Sequence, residues 1–413
     1  MREKAGLAME NFKTTLTPPK DREPETYSQE SQPQESLPMT HGGNDAMSDS
    51  PKPQVTRRRF LQAGAVLAAT PILGATRSAS GQTPAKVTKV LDFSTGADLA
   101  KAEQEGEVVY YGHDGEAGLA ILLDAFRKDF PKIKTSYVRL QTGALYAKIT
   151  AERSAGRYLV DVLQLSDITP AIDFQKKGGY ETYLSPEYAA YKPAYLSSPA
   201  GSFAWVGVTF AGIAYNRGKV KPEQAPKTWK DILNPAFKDG ISAKLAASGM
   251  QHAQWYMLRK LYGNDFWQEF AKQRPRGFDA RAQLFDRLAK GDDRVCALAE
   301  YAGYTLFKEK GADIEFVAPP DGLPATPAII GAVNRAPHPE AAKLFVDWAV
   351  SNRGQAVYQT QPLLLYGSLR NDAPPMATGK RLADFKLLFP SDWADFQASH
   401  AAFVKEWNGI MGL

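Results

Sequence analysis

The sequence predicts an α/β protein in which parallel strands are flanked by helices. From Gly106 onward, short β-rich runs alternate with segments whose apolar residues recur at helical spacing. Such alternation favours a parallel sheet. At three successive places a strand ends in a small polar loop that also begins a helix. In an open α/β sheet these loops lie at the carboxyl ends of the strands, where ligands bind. We therefore expect a ligand site where the loops meet.

The first of these loops follows a strand at 108–111 and precedes a helix at about 119–130. The free N–H groups and the positive dipole end of that helix face the loop. Its polar side chains suit either helix capping or ligand contact, and the sequence does not separate the two roles. The loop residues that we expect at the site are His113, Asp114, Gly115 and Glu116.

Four further loops repeat this pattern and offer hydroxyl groups and unpaired N–H groups that suit an anion. Arg139 ends the second strand and is expected to bind a carboxylate or phosphate, although simple exposure is the more common role of an arginine. Trp205 is expected to line the cleft, with core packing as the alternative. The other residues expected at the site are Thr142, Gly143, Ser166, Asp167, Ser248, Gly249, Glu300 and Tyr301.

The order of the elements predicts two lobes that the chain crosses more than once. β-Rich runs at 203–216 suit the first crossing, and an apolar run at 326–333 suits the return. Two closing helices are predicted at about 380–389 and 391–411. The predicted first lobe comprises residues 106–213 and 325–372, and the second comprises residues 214–324 and 373–413.

Composition argues against several function classes. With 413 residues, of which 44% are apolar, the chain can form about two domains with real cores. The net charge of +5 is spread along the chain, so we expect no nucleic-acid partner. The single cysteine, Cys296, excludes an internal disulfide and lies in an apolar run typical of an inert buried thiol. No hydrolase elbow, zinc-protease helix, phosphate-binding loop or dinucleotide fingerprint occurs, so we expect neither catalytic residues nor a cofactor.

The amino-terminal region predicts export. Residues 1–55 are rich in Pro, Gln, Glu, Ser and Thr without apolar periodicity, and we expect a disordered leader. In residues 56–80, arginines followed by an aromatic residue and a leucine precede a short apolar run, which resembles a twin-arginine signal peptide. The apolar run is too short for a permanent membrane anchor. Cleavage is expected near Ala75 or Ser80, with the mature protein in the periplasm.

Most export signals lie close to the start codon, and translation from Met47 would place the arginine pair ten residues into the chain. We therefore expect Met47 to be the true start. Mass spectrometry of the intact precursor should then detect no peptide upstream of Met47, and detection of one would contradict this start.

Eight segments stand in a distinctive order between about Gly106 and Leu413. They are YYGHDGE at 110–116, a Thr-Gly-x-Leu helix start at 142–145, Ser-Asp at 166–167, GIAYN at 212–216, PKTWKDILNPAFKDGI at 226–241, Ala-Ser-Gly at 247–249, Gly-Ala-Asp-Ile-Glu at 311–315, and HPEAAKLFVDWAVSNRGQAVY at 338–358. In this order they resemble the iron(III)-type extracellular solute-binding proteins (family 1) of ABC importers. No single segment is decisive, but the set is specific.

The resemblance implies a two-lobed periplasmic-binding-protein fold of type II, with mostly parallel sheets flanked by helices and a ligand cleft that closes between the lobes. It implies a monomeric periplasmic substrate-binding protein rather than an enzyme. The implied partners are a small-molecule ligand, an ABC permease in the inner membrane and, during export, the twin-arginine translocase. Two alternatives remain open, which are an exported enzyme and the same fold presenting its ligand to a membrane sensor.

The expected ligand is a small anionic solute or a ferric complex. Iron-binding members of the resembled family place two adjacent tyrosines after the strand that corresponds to 295–299, where phenolate oxygens suit ferric iron. This chain reads EYAGY at 300–304, so the adjacent pair is missing. If the ligand is ferric iron, Tyr301 and Asp114 are the expected oxygen ligands. The sequence leaves open the choice among iron, organic acids, phosphonates and sugar phosphates.

Overall fold

The computed structural model describes residues 87–246, 249–361 and 363–413. The predicted leader and signal peptide, and Ser248 of the fourth loop, lie outside the described residues. Within the described part of the chain, no helix is both long enough and apolar enough to cross a membrane.

The fold contains short strands and helices that alternate along most of the chain. The strands are β1 (Thr88–Val90), β2 (Phe93–Thr95), β3 (Glu107–Gly112), β4 (Lys134–Arg139), β5 (Val162–Leu165), β6 (Ala204–Asn216), β7 (Ile241–Lys244), β8 (Arg276–Phe278), β9 (Val295–Glu300), β10 (Ile314–Val317), β11 (Leu323–Ala332) and β12 (Leu387–Leu388). The helices are α1 (Leu99–Glu105), α2 (Glu116–Asp129), α3 (Thr142–Ser154), α4 (Ile168–Lys176), α5 (Gly249–Tyr262), α6 (Asp265–Ala271), α7 (Arg281–Lys290), α8 (Tyr301–Glu309), α9 (Pro339–Val350), α10 (Asn352–Thr360), α11 (Trp393–Ala398) and α12 (His400–Met411).

Two long strands, β6 and β11, run antiparallel through the centre of the sheet, whose main path is β4-β3-β5-β11-β6-β9-β7-β8. The first half of β6, as far as Phe210, pairs with β11. Its second half, from Ala211 onward, pairs with β9 and β10. Each half of β6 therefore belongs to a different group of strands. This arrangement agrees with the two crossings predicted at 203–216 and 326–333.

The outer strands of both groups run parallel, as the alternating pattern predicts. Strand β3 pairs in parallel with β4 and β5, and β7 pairs in parallel with β8 and β9. The crossing strands are antiparallel to their neighbours because the chain leaves one group on β6 and returns on β11. Strand β6 is buried along its length except at Thr209, which is half-buried. A strand buried on both faces explains its nearly continuous apolar sequence.

The core is rich in tryptophan, and the indole N–H groups of its five fully buried tryptophans all donate to protein oxygens. The indole of Trp229 donates to the carbonyl of Gly322, 2.8 Å away, and that of Trp407 donates to the carbonyl of Lys244 at the same distance. Such partners remove the cost of burying a polar N–H group. The fully buried tryptophans are Trp229, Trp255, Trp267, Trp348 and Trp407.

The end of the chain differs from its prediction. The prediction of a helix at 380–389 is wrong, because Leu382–Asp384 forms a single 3-10 turn and Leu387–Leu388 forms β12. Strand β12 pairs in parallel with the start of β11, and this long-range pairing overrides the local helical pattern. The helix predicted at 391–411 is divided at Ser399 into α11, which packs against α4, and α12, which packs against α5 and α6.

Asp347 of α9 holds the β1–β2 hairpin against the rest of the fold. Its Oδ2 accepts hydrogen bonds from Thr95 Oγ1 at 2.6 Å, the Tyr183 hydroxyl at 2.5 Å and the backbone N–H of Gly96 at 3.2 Å. Burial raises the pKa of Asp347 to about 6, and these hydrogen bonds only partly oppose that effect.

The raised pKa of Asp347 predicts a pH-dependent contribution to stability. Between about pH 4 and pH 6 the folded carboxyl holds a proton that the unfolded one lacks, so this contribution to the free energy of unfolding falls as pH rises. In Asp347→Asn the slope of the free energy of unfolding against pH should become more positive by up to about 1.4 kcal/mol per pH unit, as measured by urea unfolding from pH 4 to 7. The variant should also be less stable overall, because a neutral amide oxygen is a weaker acceptor than a carboxylate oxygen, so the slope is the informative quantity.

The matched control is Asp286→Asn, on the exposed face of α7. It should keep the wild-type slope. An unchanged slope in Asp347→Asn would contradict the account of Asp347.

Candidate functional site

The carboxyl ends of strands from both groups converge on a cavity of about 350 Å³, called here the first cavity. Thr209 and Thr326 lie between the two groups, where β6 and β11 pair, and their hydroxyl oxygens are 2.9 Å apart. Helices α2, α5 and α7 begin at or beside this cavity. It is lined by His113, Asp114, Gly115, Arg139, Ser166, Thr209, Lys244, Gly249, Met250, Arg281, Glu300, Thr326, Leu363, Leu364 and Tyr366.

On one side of the first cavity, the loop after β3 meets Tyr366. The Tyr366 hydroxyl donates to Asp114 Oδ1 and lies 3.3 Å from Nε2 of His113. Arg139 donates through Nε to the backbone carbonyl of Asp114, 3.3 Å away. Burial and then the charge of Asp114 raise the pKa of Tyr366 well above its usual range, so its hydroxyl stays protonated and acts as a donor.

On the other side, Glu300 binds two cations. Its Oε1 lies 2.9 Å from Lys244 Nζ, and its Oε2 lies 3.4 Å from Arg281 Nη1. Burial alone would raise the pKa of Glu300, but attraction to Lys244 and Arg281 outweighs it and holds the pKa below its ordinary value. Glu300 is therefore ionised at neutral pH and keeps both cations beside the cavity.

A second cavity of about 500 Å³ shares Ser166, Gly249 and Thr326 with the first. One wall is polar and comes from the starts of α3 and α4, where the hydroxyl oxygens of Thr142 and Ser166 lie 2.8 Å apart. The other wall is aromatic and comes from α5, α11 and α12. Its aromatic residues are His252, Trp393, Phe396 and His400.

Burial shifts the pKa values of two groups that line the second cavity. Asp167 caps α4 by accepting from the N–H of Thr169 at 2.9 Å, and burial raises its pKa. The ring of His252 stacks on Phe396, with the ring centroids 4.1 Å apart. Burial lowers the pKa of His252 to about 3, so the imidazole is neutral and its Nε2 pairs with Ser399 Oγ at 3.0 Å.

The structure brings most of the expected site residues to these two cavities. Three expected residues line neither of them. Glu116 is exposed in the first turn of α2. Trp205 is buried among aromatic rings that include Phe389 and Trp393. Tyr301 stacks on Phe210 and donates from its hydroxyl to Thr378 at 3.0 Å. The expected residues that line a cavity are His113, Asp114, Gly115, Arg139, Thr142, Gly143, Ser166, Asp167, Gly249 and Glu300.

Sequence reasoning missed several lining residues, although two of them carry the same signal as the others. Lys244 ends β7, and Arg281 begins α7 after a two-residue link from the end of β8, so both stand at strand-to-helix junctions. Strand β8 is only three residues long, which is why the alternating pattern did not reveal it. Tyr366 reaches the cavity from the loop after α10, and nothing in the local sequence indicates this.

The residues expected to bind a ferric ion do not meet. Asp114 lines the first cavity, whereas Tyr301 lines neither cavity. Among the residues that the structure describes, no group of three or more His, Cys, Asp or Glu side chains is placed to hold a metal ion.

Comparison with known proteins identifies relatives. The family model described as bacterial extracellular solute-binding protein matches residues 169–382, just over half of the chain. An uncharacterized protein of Haemophilus influenzae is 26% identical over 273 residues, which is 62% of this chain and 75% of that protein.

Solved structures agree on the fold. The periplasmic binding protein AfuA from Actinobacillus pleuropneumoniae, with fructose-6-phosphate bound, has a TM-score of 0.61 at 22% identity, covering 75% of this chain and 99% of that one. Iron-bound HitA from Pseudomonas aeruginosa has a TM-score of 0.61 at 19% identity, covering 74% of this chain and 99% of that one. The predicted two-lobed periplasmic-binding-protein fold of type II is thus confirmed.

The Lys244–Glu300–Arg281 cluster predicts a pH-dependent loss in Glu300→Gln. Removing the carboxylate leaves two partly buried cations without their partner, which should cost about 2 kcal/mol at pH 7 by urea unfolding. Because the pKa of Glu300 is lower in the folded protein than in the unfolded one, its carboxylate stabilises the fold at pH values above the unfolded pKa. This contribution is lost as the pH falls through the folded pKa. The difference from the wild type should therefore shrink between pH 7 and pH 3.5.

The control for this variant is Glu116→Gln, an exposed carboxylate that lines neither cavity. It should change the free energy of unfolding by less than about 0.5 kcal/mol. A loss in Glu300→Gln that is equal at both ends of the pH range would argue against the ion-pair account.

Proposed function

Because the chain belongs to the family of bacterial extracellular solute-binding proteins, we propose that it captures a small anionic solute in the cleft between its lobes. Its role is that of the substrate-binding protein of an ABC importer. The family and the structural neighbours are binding proteins, which supports a receptor rather than an enzyme. Lobe closure on the ligand is the transition that this architecture uses.

The excess of cations over anions in the first cavity carries this proposal. Arg139, Lys244 and Arg281 line it, against the carboxylates of Asp114 and Glu300. Glu300 binds two of these cations through its two oxygens. The guanidinium of Arg139 bonds to a backbone carbonyl, which brings no formal countercharge. A bidentate carboxylate or phosphate is the natural partner of such a guanidinium.

Helix starts strengthen the preference for an anion. Gly115 is the N-cap of α2 and offers no side-chain oxygen to its first N–H groups. Helix α5 begins at Gly249, which lines both cavities. Free N–H groups and the positive dipole ends of helices stabilise bound oxyanions.

The second cavity gives room for the rest of the ligand. Hydroxyl groups and the carboxylate of Asp167 on one wall suit the hydroxyls of a polyol, and the ring of Trp393 opposite suits the apolar face of a sugar. A phosphate ester of a polyol fits both cavities best. The neighbour AfuA has fructose-6-phosphate bound and HitA has iron bound, so ferric complexes with anionic surfaces belong among the compounds tested.

The remaining partners follow from the same role. We propose that the protein is exported by the twin-arginine translocase, is cleaved near Ala75 or Ser80, and works as a periplasmic monomer with an inner-membrane ABC permease. Residues 106–213 with 325–372, and 214–324 with 373–413, remain the proposed lobes.

A thermal-shift panel tests the ligand class. The compounds are inorganic phosphate, glucose 6-phosphate, glycerol phosphate, a phosphonate, citrate and ferric citrate. A ligand at 100 times its dissociation constant stabilises the folded state by about 2.7 kcal/mol. We expect the polyol phosphates to raise the melting temperature most. If no anion raises it while an enzymatic assay shows turnover, the receptor role is wrong.

Arg139→Ala should weaken binding of the best anion by about tenfold to a hundredfold in calorimetry, because a charge-assisted hydrogen bond contributes about 1.5–3 kcal/mol. Its fold should be little affected, since Arg139 is exposed and makes a single 3.3 Å bond to a backbone carbonyl. Arg157→Ala is the matched control, because it removes an exposed arginine that lines neither cavity. Equal losses in both variants would mean that only overall charge matters.

A further inference from the structure

The second cavity differs from the first in the charges that line it. Three cations line the first cavity, whereas the described residues that line the second include no lysine or arginine. The carboxylates of the second cavity belong to Asp167 and Asp173, and its imidazoles belong to His252 and His400. The imidazole of His252 is neutral. A ligand that extends through both cavities therefore meets an excess of cations at one end and carboxylates at the other.

One of these two carboxylates already has a cationic partner. The Oδ2 atom of Asp173 lies 2.6 Å from Nζ of Lys177, and it also accepts a hydrogen bond from the hydroxyl of Tyr146. Lys177 itself lines neither cavity. Its ammonium group offsets part of the charge that Asp173 brings to the second cavity, so Asp173 has less need of a cation from the ligand.

Asp167 lacks such a partner. It caps α4 by accepting from the backbone N–H of Thr169, and within the described part of the chain it pairs with no lysine or arginine. Attraction to His400 on α12 and the bonds to Thr169 lower its pKa, but burial outweighs them and raises it. The carboxylate has thus lost water without gaining a full countercharge. Asp167 is only half-buried, so its side chain is open to the cavity that it lines.

The rest of the second cavity also suits a cation. Trp393 lines the opposite wall, and the face of an indole ring attracts an ammonium group. On the polar wall, the hydroxyl oxygens of Thr142 and Ser166 can accept hydrogen bonds. An ammonium group has three N–H donors and no acceptor, so acceptor oxygens and an aromatic face are the partners that it requires.

We propose that the second cavity binds a protonated amine of the ligand, with Asp167 as its countercharge, so that the site prefers a zwitterion whose oxyanion lies in the first cavity. This inference rests on the proposed function and narrows the ligand class to phosphate esters that carry an amine. A neutral polyol would leave Asp167 without a countercharge. An ammonium group supplies both the charge and the donors, and such charge-assisted hydrogen bonds are the stronger ones.

Two pairs of phosphate esters test this preference by calorimetry on the purified protein at pH 7. Within each pair an amine replaces one hydroxyl. Glucosamine 6-phosphate is compared with glucose 6-phosphate, and phosphoethanolamine is compared with 2-hydroxyethyl phosphate. The pairs differ in the distance between amine and phosphate. In at least one pair the amine should bind about tenfold more tightly than the hydroxyl compound, and the shared phosphate cancels in the ratio of the two affinities.

Asp167→Asn removes the charge but keeps an oxygen that can cap α4, because asparagine is as good an N-cap residue as aspartate. It should bring the ratio close to one by weakening the amine alone. The matched control is Asp98→Asn, which makes the same change at the N-cap of α1 and lines neither cavity. It should keep the wild-type ratio. If Asp167→Asn fails to fold, the wild-type ratios still decide whether the amine is preferred.

Equal binding within both pairs, or weaker binding of the amines, would overturn this inference and leave the proposed function standing. A preference that persists unchanged in Asp167→Asn would mean that another group binds the amine, and it would also overturn the inference. If none of the four esters binds but another anion does, the inference alone is wrong. Binding of no anion at all would overturn the proposed function and this inference together.

Discussion

The antiparallel pairing of β6 with β11 is the constraint on which both lobes depend. Strands β4, β3 and β5 join the sheet through β11, while β9, β7 and β8 join it through the second half of β6. Thr209, near the middle of β6, is hydrogen-bonded to Thr326 across the pair, and both threonines line the first cavity. The strands that join the lobes therefore also line the candidate ligand site.

The cavity charges are organised differently on its two sides. Glu300 forms ion pairs with Lys244 and Arg281 and so orients both cations without a ligand. Its negative charge also offsets part of their positive charge. Among the described residues, Arg139 has no carboxylate partner, and its guanidinium bonds to a backbone carbonyl. One side of the cleft is thus preorganised and the other is uncompensated, and the anion that we propose as the ligand would gain from both if it bridged them. This division is consistent with the anionic ligand that we propose, although the cavity contains two carboxylates.

Local pattern predicted the parts of the site that depend on topology alone. Residues at strand ends, such as Ser166 and Glu300, reach the cavities because parallel strands end at the same edge of the sheet. The local sequence pattern gave wrong predictions where the direction of a side chain or a contact with a distant segment determines the structure. Tyr301 begins a helix at the correct edge, yet its ring packs on Phe210. The region 380–389 has helical spacing, yet β12 pairs with β11. Such outcomes depend on packing partners far away in sequence.

The last segment of the chain has a mechanical consequence. Helix α11 packs against α4, beside the group that contains β5, while α12 packs against α5 and α6 on the other side. Together with β6 and β11, this segment gives the two halves three covalent connections. Three tethers remove most of the independent translations and rotations that a single linker would permit. Three tethers leave a hinge-like rotation between the halves as the main movement that the chain connections permit.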